Sequence, residues 1–213
     1  MAGGDGSLAP IAQVAIERDL PFVCIPFGTR NHFARDLGLD RNDPLGALAA
    51  FGGRERRIDV GRVRGEVFLN NVSLGAYAAL VHRRERHRRR RTAFARLRAL
   101  LLTATNREPM GLVINGQPVE ADIALISNND YNLELFSLGE RERLDEGKLH
   151  HYLARVGWGI SEWDERAGTE LTIDAARHEI QAAVDGEPAV FETPLEFAID
   201  PLALRALVPA APG

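Results

Sequence analysis

The sequence has little cysteine, little lysine and no long apolar run. Cys24 is the single cysteine among 213 residues, so an internal disulfide bond is impossible and a reducing, cytoplasmic compartment is favoured. Lys148 is the single lysine, and the other basic residues are arginines. No stretch reaches the roughly 18 apolar residues of a membrane-spanning helix. No charged and then apolar leader opens the sequence, so we expect neither a spanning helix nor secretion.

Charge is unevenly distributed along the chain. The formal net charge is −4, and the apolar share of 45% and charged share of 26% are those of an ordinary globular protein. This composition excludes a disordered, collagenous or coiled-coil chain, and also a uniformly basic nucleic-acid binder. The run that begins at Arg83 and ends at Arg98 nevertheless holds nine arginines and one glutamate, a local charge of +8.

This arginine run indicates an anionic partner for one segment only. An anionic membrane surface would attract each basic residue with roughly 1 kcal/mol. A solvated helical face is the alternative interpretation. Nucleic acid is disfavoured as a partner, because aromatic residues for base stacking do not alternate with the arginines.

The first sixty residues alternate between helical and extended patterns. Apolar spacing predicts helices at residues 8–17, 31–37 and 44–51, and the continuous apolar run at residues 22–25 predicts a strand buried on both faces. This order of helix, strand, turn and helix is typical of an α/β unit.

The pattern changes near Arg57 and becomes mostly extended, apart from a predicted helix at residues 76–103. The hairpin signal Asn115–Gly116 lies between two apolar runs. The chain is therefore predicted to be an α+β protein with two unlike domains, at residues 1–57 and 58–200, and a C-terminal segment at 201–213 that can return to the first domain. Strands are predicted at residues 58–63, 66–72, 112–114, 123–126, 149–156, 170–173, 179–184 and 195–199.

Two glycine turns precede predicted helices. Glycines in the GGDGS turn at residues 3–7 let the backbone approach a ligand, and the helix start offers N–H groups that suit a phosphate. Asp5 could hold a magnesium ion that bridges phosphates, or it could simply cap its helix in an exposed turn. The second turn, at residues 26–31, follows the buried strand at the edge where α/β sheets bind ligands. Thr29 and Asn31 bring polar groups there, and Asn31 as a plain N-cap is the alternative.

The third turn, Asp185-Gly186-Glu187, lies between two strand-like segments. A two-residue Asp-Gly hairpin turn is the simpler interpretation. A carboxylate held on a rigid hairpin tip would also be a suitable general base.

Five motifs in this order carry a resemblance: GGDGS, PFGTRNHFARDLGL, RRIDVGRV, LDEGKL and VDGEP. Together they resemble the diacylglycerol kinase catalytic-domain family, which are lipid kinases related to NAD kinase. The resemblance covers the chain from Gly3 to about Pro209. It implies an NAD-kinase-like α/β nucleotide-binding domain, followed by a β-sandwich-like domain, with the active site in the cleft between them.

The resemblance also implies a role for each matching residue. The ATP phosphates would lie against the two glycine turns, at Gly3, Gly4, Asp5, Gly6, Ser7, Gly28, Thr29, Asn31 and His32. Glu187, beside Asp185, would be the general base that deprotonates the lipid hydroxyl. Magnesium would be held near Asp5 and Asp59, and a structural magnesium at the turn that contains Asp145.

Three departures from the family pattern qualify this resemblance. His32 stands where the family usually has an aspartate, and Arg30 stands where it has a glycine. A histidine cannot supply the missing negative charge, although when protonated it could contact a phosphate, or it could simply face solvent. The family also has two βα units and a strand before its GGDG turn, whereas here Met1 and Ala2 precede it. We therefore expect a truncated nucleotide-binding domain, weak ATP affinity and self-association.

The function implied is ATP- and Mg²⁺-dependent phosphorylation of a lipid hydroxyl, of the diacylglycerol or sphingoid-base type. Such a kinase would be cytoplasmic and peripheral at the inner membrane surface. The alternative is a catalytically impaired remnant that binds nucleotide or membrane. A soluble substrate, as in NAD kinase, is a third interpretation, which the block at residues 28–38 disfavours.

Overall fold

The computed structural model describes residues 1–28, 31–75, 110–131, 133–134, 137–138, 141–155 and 163–210. Thr29, Arg30, the predicted helix at residues 76–103 and the arginine run lie outside the described residues. In the described part of the chain, no helix is long and apolar enough to cross a membrane.

The N-terminal part contains the described helices. In chain order it consists of β1 (Ala2–Gly3), α1 (Asp5–Glu17), β2 (Phe22–Val23), β3 (Ile25–Pro26), α2 (His32–Asp36) and a 3-10 helix at Gly46–Gly52. The helices predicted at residues 8–17 and 31–37 are confirmed, and the one predicted at 44–51 is a 3-10 helix. The apolar run at 22–25 is buried at Phe22, Val23 and Cys24, but it divides into two short strands with different partners.

The remaining described residues are mostly strands. They are β4 (Arg54–Val63), β5 (Glu66–Phe68), β6 (Asn71–Gly75), β7 (Leu112–Ile114), β8 (Gln117–Val119), β9 (Ile123–Asn128), β10 (Leu133–Glu134), β11 (Ser137–Leu138), β12 (Leu149–Ala154), β13 (Asp164–Gly168), β14 (Glu170–Asp174), β15 (Glu179–Val184), β16 (Glu187–Glu192) and β17 (Leu195–Val208).

Two large sheets enclose one apolar core. The six-stranded sheet has the order β13-β12-β9-β6-β15-β16, and all its pairs are antiparallel. The seven-stranded sheet has the order β5-β4-β17-β14-β7-β8, with β2 added to β17. Apolar side chains from both sheets form the cluster between them, in which the Phe68 and Phe197 rings meet edge to face at 6.4 Å between centroids.

The long strand β17 joins this core to a second core around α1 and α2. Its first half pairs with β14, whereas Ala206 and Leu207 pair in parallel with Phe22 and Val23 of β2. The register shifts between Asp200 and Leu204, which turns the strand between the two parts. The second core contains Leu8, Phe33 and Ile58 together with Leu204 and Ala206. The C-terminal strand thus packs against the N-terminal elements; the division into domains stays a prediction.

Several predicted elements need correction. The strand predicted at residues 66–72 is two strands, because the chain passes from one sheet to the other at Leu69–Asn70. The turn at Asn115–Gly116 joins β7 to β8, and β9 lies in the opposite sheet. Sequence patterns missed β13, whose residues 164–167 are all exposed and carry no apolar alternation.

Candidate active site

The two N-terminal glycine turns lie side by side. Parallel pairing of β1 with β3 aligns Gly3 with Pro26, and the Phe27 N–H donates to the Gly3 carbonyl oxygen at 3.0 Å. A Cβ on Gly28 would overlap the Cα of Gly4, so the turns touch backbone to backbone and only glycine fits there. The sequence-predicted phosphate-binding turns are therefore brought together as one surface, with Thr29 outside the described residues.

Asp5 ties the first turn to the second. Its carboxylate accepts hydrogen bonds from the backbone N–H groups of His32, at 3.1 Å, and Phe33, at 3.0 Å, which open α2. Asp5 therefore caps α2, although it is itself the first residue of α1. Asn31 is the N-cap residue of α2 with a left-handed backbone, but its side chain makes no capping bond: it accepts from the Gly28 N–H and donates to the carbonyl oxygens of Gly28 and Arg41.

The start of α1 offers backbone donors. Gly4 is the N-cap and provides no side-chain cap, and the Ser7 hydroxyl donates to the Gly4 carbonyl oxygen at 2.8 Å. The first N–H groups of a helix have no partner within it and lie at its positive end. At α1 the Ser7 N–H donates to the Gly4 carbonyl oxygen at 3.0 Å. The start of this helix adjoins the contact between the two glycine turns, a kind of position that suits a phosphate.

The third turn is the predicted two-residue hairpin turn. Val184 pairs with Glu187, and Asp185 and Gly186 have φ angles of +49° and +87°, as a type I′ turn requires. The exposed Glu187 side chain reaches the start of α1 and lies against Gly6. A Cβ added to Gly6 would overlap the Glu187 Cγ and lie 2.6 Å from its Oε1. The fold thus brings together two residues that are 181 positions apart.

Asp185 differs from Glu187, although both belong to the same turn. Asp185 is buried, and its carboxylate accepts from the N–H groups of Leu69 (2.8 Å), Asn70 (2.8 Å) and Asn71 (3.1 Å). Burial raises its pKa to about 6, while the three N–H donors oppose that rise. Asp185 therefore anchors the crossing between the sheets, and its geometry is that of a positioning residue.

The residues predicted to hold magnesium at two places, Asp5 with Asp59 and Asp145 at its own turn, accept hydrogen bonds within the protein. The buried Asp59 carboxylate accepts from the N–H groups of Gly147 (2.6 Å) and Leu202 (2.8 Å), so it fixes the turn at residues 145–147 to β17. Asp145 accepts from the exposed Arg143 at 3.2 Å. Both magnesium positions stay predictions.

Sequence reasoning missed a buried arginine behind the site. The Arg141 side chain is fully buried, and its Nε donates to Asp36 of α2 at 2.7 Å. It also donates to the carbonyl oxygens of Leu69 and Asn128 and to Oδ1 of Asn70. Nothing distinguishes this arginine from the 24 others in the sequence, and only the fold shows that it joins α2 to the crossing held by Asp185.

Comparison with known proteins identifies the N-terminal part of this arrangement. Residues 1–63 match the diacylglycerol kinase catalytic domain. This match confirms the resemblance seen in the motifs. It includes both glycine turns, α1 and α2, and it ends at the last residue of β4.

Curated relatives agree with this family. The chain is 41% identical over 75 residues to a probable lipid kinase YegS-like protein of Pseudomonas fluorescens, which is 34% of this chain and 25% of that protein. It is 31% identical over 136 residues to a diacylglycerol kinase of Mycobacterium tuberculosis, which is 59% of this chain and 43% of that protein. The matches thus span less than half the length of either relative.

Solved structures extend the likeness to the whole fold. A crystal structure of a diacylglycerol kinase from Bacillus anthracis superimposes with a TM-score of 0.69 at 18% identity, covering 97% of this chain and 76% of that one. The expected diacylglycerol-kinase-like fold is therefore confirmed, while its description as two particular domains stays a prediction.

Proposed function

We propose that this chain is the phosphoryl-transfer part of a lipid kinase of the diacylglycerol kinase type, which moves the γ-phosphate of ATP to a lipid hydroxyl. One observation carries the proposal: the Glu187 carboxylate lies against Gly6, at the helix start where the two glycine turns meet. The proposed base thus lies beside the proposed phosphate-binding surface.

The phosphates of ATP would bind at this surface through backbone groups. Gly4 and Gly28 place no side chain at the contact between the turns, and the start of α1 beside it offers the backbone donors of a helix N-terminus. Asp5 would keep the two turns in register through its bonds to α2.

Glu187 would act as the general base. Among the described residues its carboxylate has no hydrogen-bond or ion-pair partner, and its exposure lets a substrate hydroxyl approach. The carboxylate takes the hydroxyl proton, the substrate oxygen bonds to the γ-phosphorus, and the bond from that phosphorus to the β–γ bridging oxygen breaks, which releases ADP. General base catalysis of this kind contributes about 10²–10⁴-fold to a rate.

The resemblance implies one magnesium ion near Asp5 and Asp59 and a separate structural one at the turn that contains Asp145. Asp5 alone of the three lies at the phosphate-binding surface, whereas Asp59 and Asp145 bond elsewhere. We therefore assign no step of the transfer to an ion held by these three residues.

A transfer assay tests the proposal. The purified chain is given γ-labelled ATP and Mg²⁺ with diacylglycerol in micelles, with sphingosine, or with NAD. We expect label in a lipid, and we expect Glu187→Gln to lower the single-turnover rate at least 100-fold while ATP still binds. Glu192→Gln, an exposed glutamate at the other end of β16, is the matched control and should keep the rate. Label in NAD alone, or ATP binding without transfer to any acceptor, would overturn the proposal.

The arginine run would hold the enzyme at its substrate. Its local charge of +8 contrasts with the net negative charge of the rest of the chain. Replacement of Arg88, Arg89, Arg90 and Arg91 by glutamine should lower co-sedimentation with anionic vesicles and weaken its salt dependence. Vesicles of neutral phosphatidylcholine are the control. Unchanged binding to anionic vesicles at low salt would show that the run is only a solvated face.

A further inference from the structure

A second group of polar side chains lies apart from the glycine turns. It is formed by Asp130, after β9, Glu146 in the turn before β12, His150 on β12 and Glu165 on β13. Pairing of β12 with both β9 and β13 brings these residues together from distant parts of the sequence.

The His150 imidazole is the centre of this group. Its side chain is 8% exposed, and its two ring nitrogens face carboxylates on opposite sides. Nε2 lies 3.1 Å from Oε2 of Glu146, and Nδ1 lies 3.0 Å from Oε1 of Glu165 and 3.8 Å from Oδ1 of Asp130. A neutral imidazole has one N–H, so it can satisfy one of these two sides.

A neutral imidazole therefore presents a lone pair to a carboxylate oxygen on the other side, whereas an imidazolium would donate to both sides. If Nε2 donates its proton to Glu146, the Nδ1 lone pair faces the negatively charged oxygens of Glu165 and Asp130. A cation bound at Nδ1 relieves the repulsion in that arrangement, in the place that a second ring proton takes in an imidazolium. The neighbouring Arg166 does not cancel this charge with an ion pair to Glu165, because its guanidinium pairs with Asp164 at 3.0 Å.

We propose that Asp130, His150 and Glu165 bind a divalent transition-metal ion of the zinc type, with Glu146 orienting the imidazole from the far side. The three ligand atoms lie within 4.8 Å of one another. Ligand bonds of about 2.0–2.2 Å in a tetrahedral site separate ligand atoms by roughly 3.2–3.6 Å, and the distances of 3.0 and 3.8 Å from Nδ1 bracket that range. A carboxylate on the outer nitrogen of a metal-binding histidine is the usual supporting partner.

The donor set selects the class of ion. One imidazole and two carboxylates suit Zn²⁺ or a similar transition metal, whereas Mg²⁺ prefers oxygen donors alone. The side chains of Asp130 and Glu165 are 58% and 49% exposed, so an ion can enter from solvent and keep a water ligand. The site does not depend on the proposed kinase activity, and it does not use Asp145.

Zinc titration of the untagged full chain tests this inference. Calorimetry with Zn²⁺ should show one site per chain that an excess of Mg²⁺ does not displace. His150→Ala should weaken Zn²⁺ binding at least tenfold. His151→Ala is the matched control, because adjacent residues of a strand face opposite sides of the sheet, and it should leave binding unchanged.

Two further variants keep the test decisive if His150→Ala, which alters a buried side chain, fails to fold. Glu165→Gln and Asp130→Asn alter exposed side chains, keep their shape and should each also weaken Zn²⁺ binding. Co²⁺ in the wild-type chain should give the visible absorption of a four-coordinate site, and His150→Ala should lose it. Absence of Zn²⁺ binding by the wild-type chain, or equal binding by all the variants, would overturn the proposal.

Discussion

Two regions of the molecule use charged residues in opposite ways. The anchor cluster, formed by Asp59, Arg141 and Asp185, is buried, and each member hydrogen-bonds to backbone groups of distant segments. The glycine rim, formed by Gly4, Gly6, Gly28 and Glu187, surrounds the start of α1, and Glu187 makes no such bond to the described residues. The Asp185–Glu187 turn contributes one residue to each region. A buried charge needs hydrogen-bond partners, so Asp185 supports the fold, whereas the exposed Glu187 stays available to a substrate.

Removal of Arg141 should produce the largest loss of stability. Arg141→Met leaves buried Asp36 without its closer partner and removes a donor from the carbonyl oxygens of Leu69 and Asn128, of which Leu69 keeps the Asn128 side chain as a donor. Breaking such a buried pair costs about 3–5 kcal/mol. Urea unfolding measures this change. Arg143→Met is the matched control, since that side chain is 65% exposed, and it should change the unfolding free energy by no more than about 0.5 kcal/mol. Equal changes in unfolding free energy for the two substitutions would show that Arg141 does not stabilise the fold as a member of the anchor cluster.

Asp185 should make stability depend on pH. Its folded-state pKa of about 6 lies above the ordinary aspartate value, so between pH 4 and pH 6 the folded chain keeps a proton that the unfolded chain has lost. Stability should therefore fall as pH rises through this window, by at most about 1.4 kcal/mol per pH unit.

Asp185→Asn removes this titration and should also destabilise the chain, by about 1–3 kcal/mol, because one amide then meets a donor in place of an acceptor. Urea unfolding at pH 4.5, 5.5 and 7 checks both effects. If the unfolding free energy of the variant changes with pH as steeply as that of wild type, another group is responsible for the pH dependence.

Substitution of Gly6 should lower activity without lowering stability. In Gly6→Ala the new methyl group displaces Glu187, so the rate of phosphoryl transfer should fall at least tenfold. Alanine favours a helix over glycine by roughly 0.5–1 kcal/mol, so the variant should unfold no more easily than wild type. Gly52→Ala, where a Cβ meets open space, is the control for both measurements. A normal rate in Gly6→Ala would mean that the position of Glu187 does not matter.

Cys24 should show the smallest effect. It is fully buried, and burial raises the pKa of its thiol to about 12. The reactive thiolate is therefore scarce near neutral pH. We expect no reaction of the folded chain with a disulfide reagent and one reacting thiol per chain in urea. Rapid reaction without urea would show that the core around β2 opens readily.

The sequence predicted the rim better than the anchor cluster. Glycine turns and an Asp-Gly hairpin are local signals, because a few adjacent residues determine the backbone conformation of each turn. Most backbone partners of Asp185 and Arg141 lie more than seventy positions away, the exception being the Asn128 carbonyl oxygen, thirteen positions from Arg141. No local pattern encodes them, because a backbone donor is the same in every residue.

The same reasoning explains the errors along the strands. The run at residues 66–72 reads as one strand, since the crossing at Leu69–Asn70 depends on the Asp185 carboxylate that accepts its N–H groups. Strand β13 is exposed, so it lacks the apolar alternation from which strands are predicted. His150 lies beside His151 in the sequence, and only strand pairing shows that it meets three carboxylates.

The central claim is that Asp185 supports the fold and that Glu187 serves the reaction. Glu187→Gln tests it most directly, with single-turnover phosphoryl transfer and urea unfolding measured on the same preparation. We predict that the transfer rate falls at least 100-fold while the unfolding free energy stays within about 0.5 kcal/mol of wild type, as for an exposed side chain without partners. A wild-type transfer rate, or a loss of stability comparable to that of Asp185→Asn, would contradict the account.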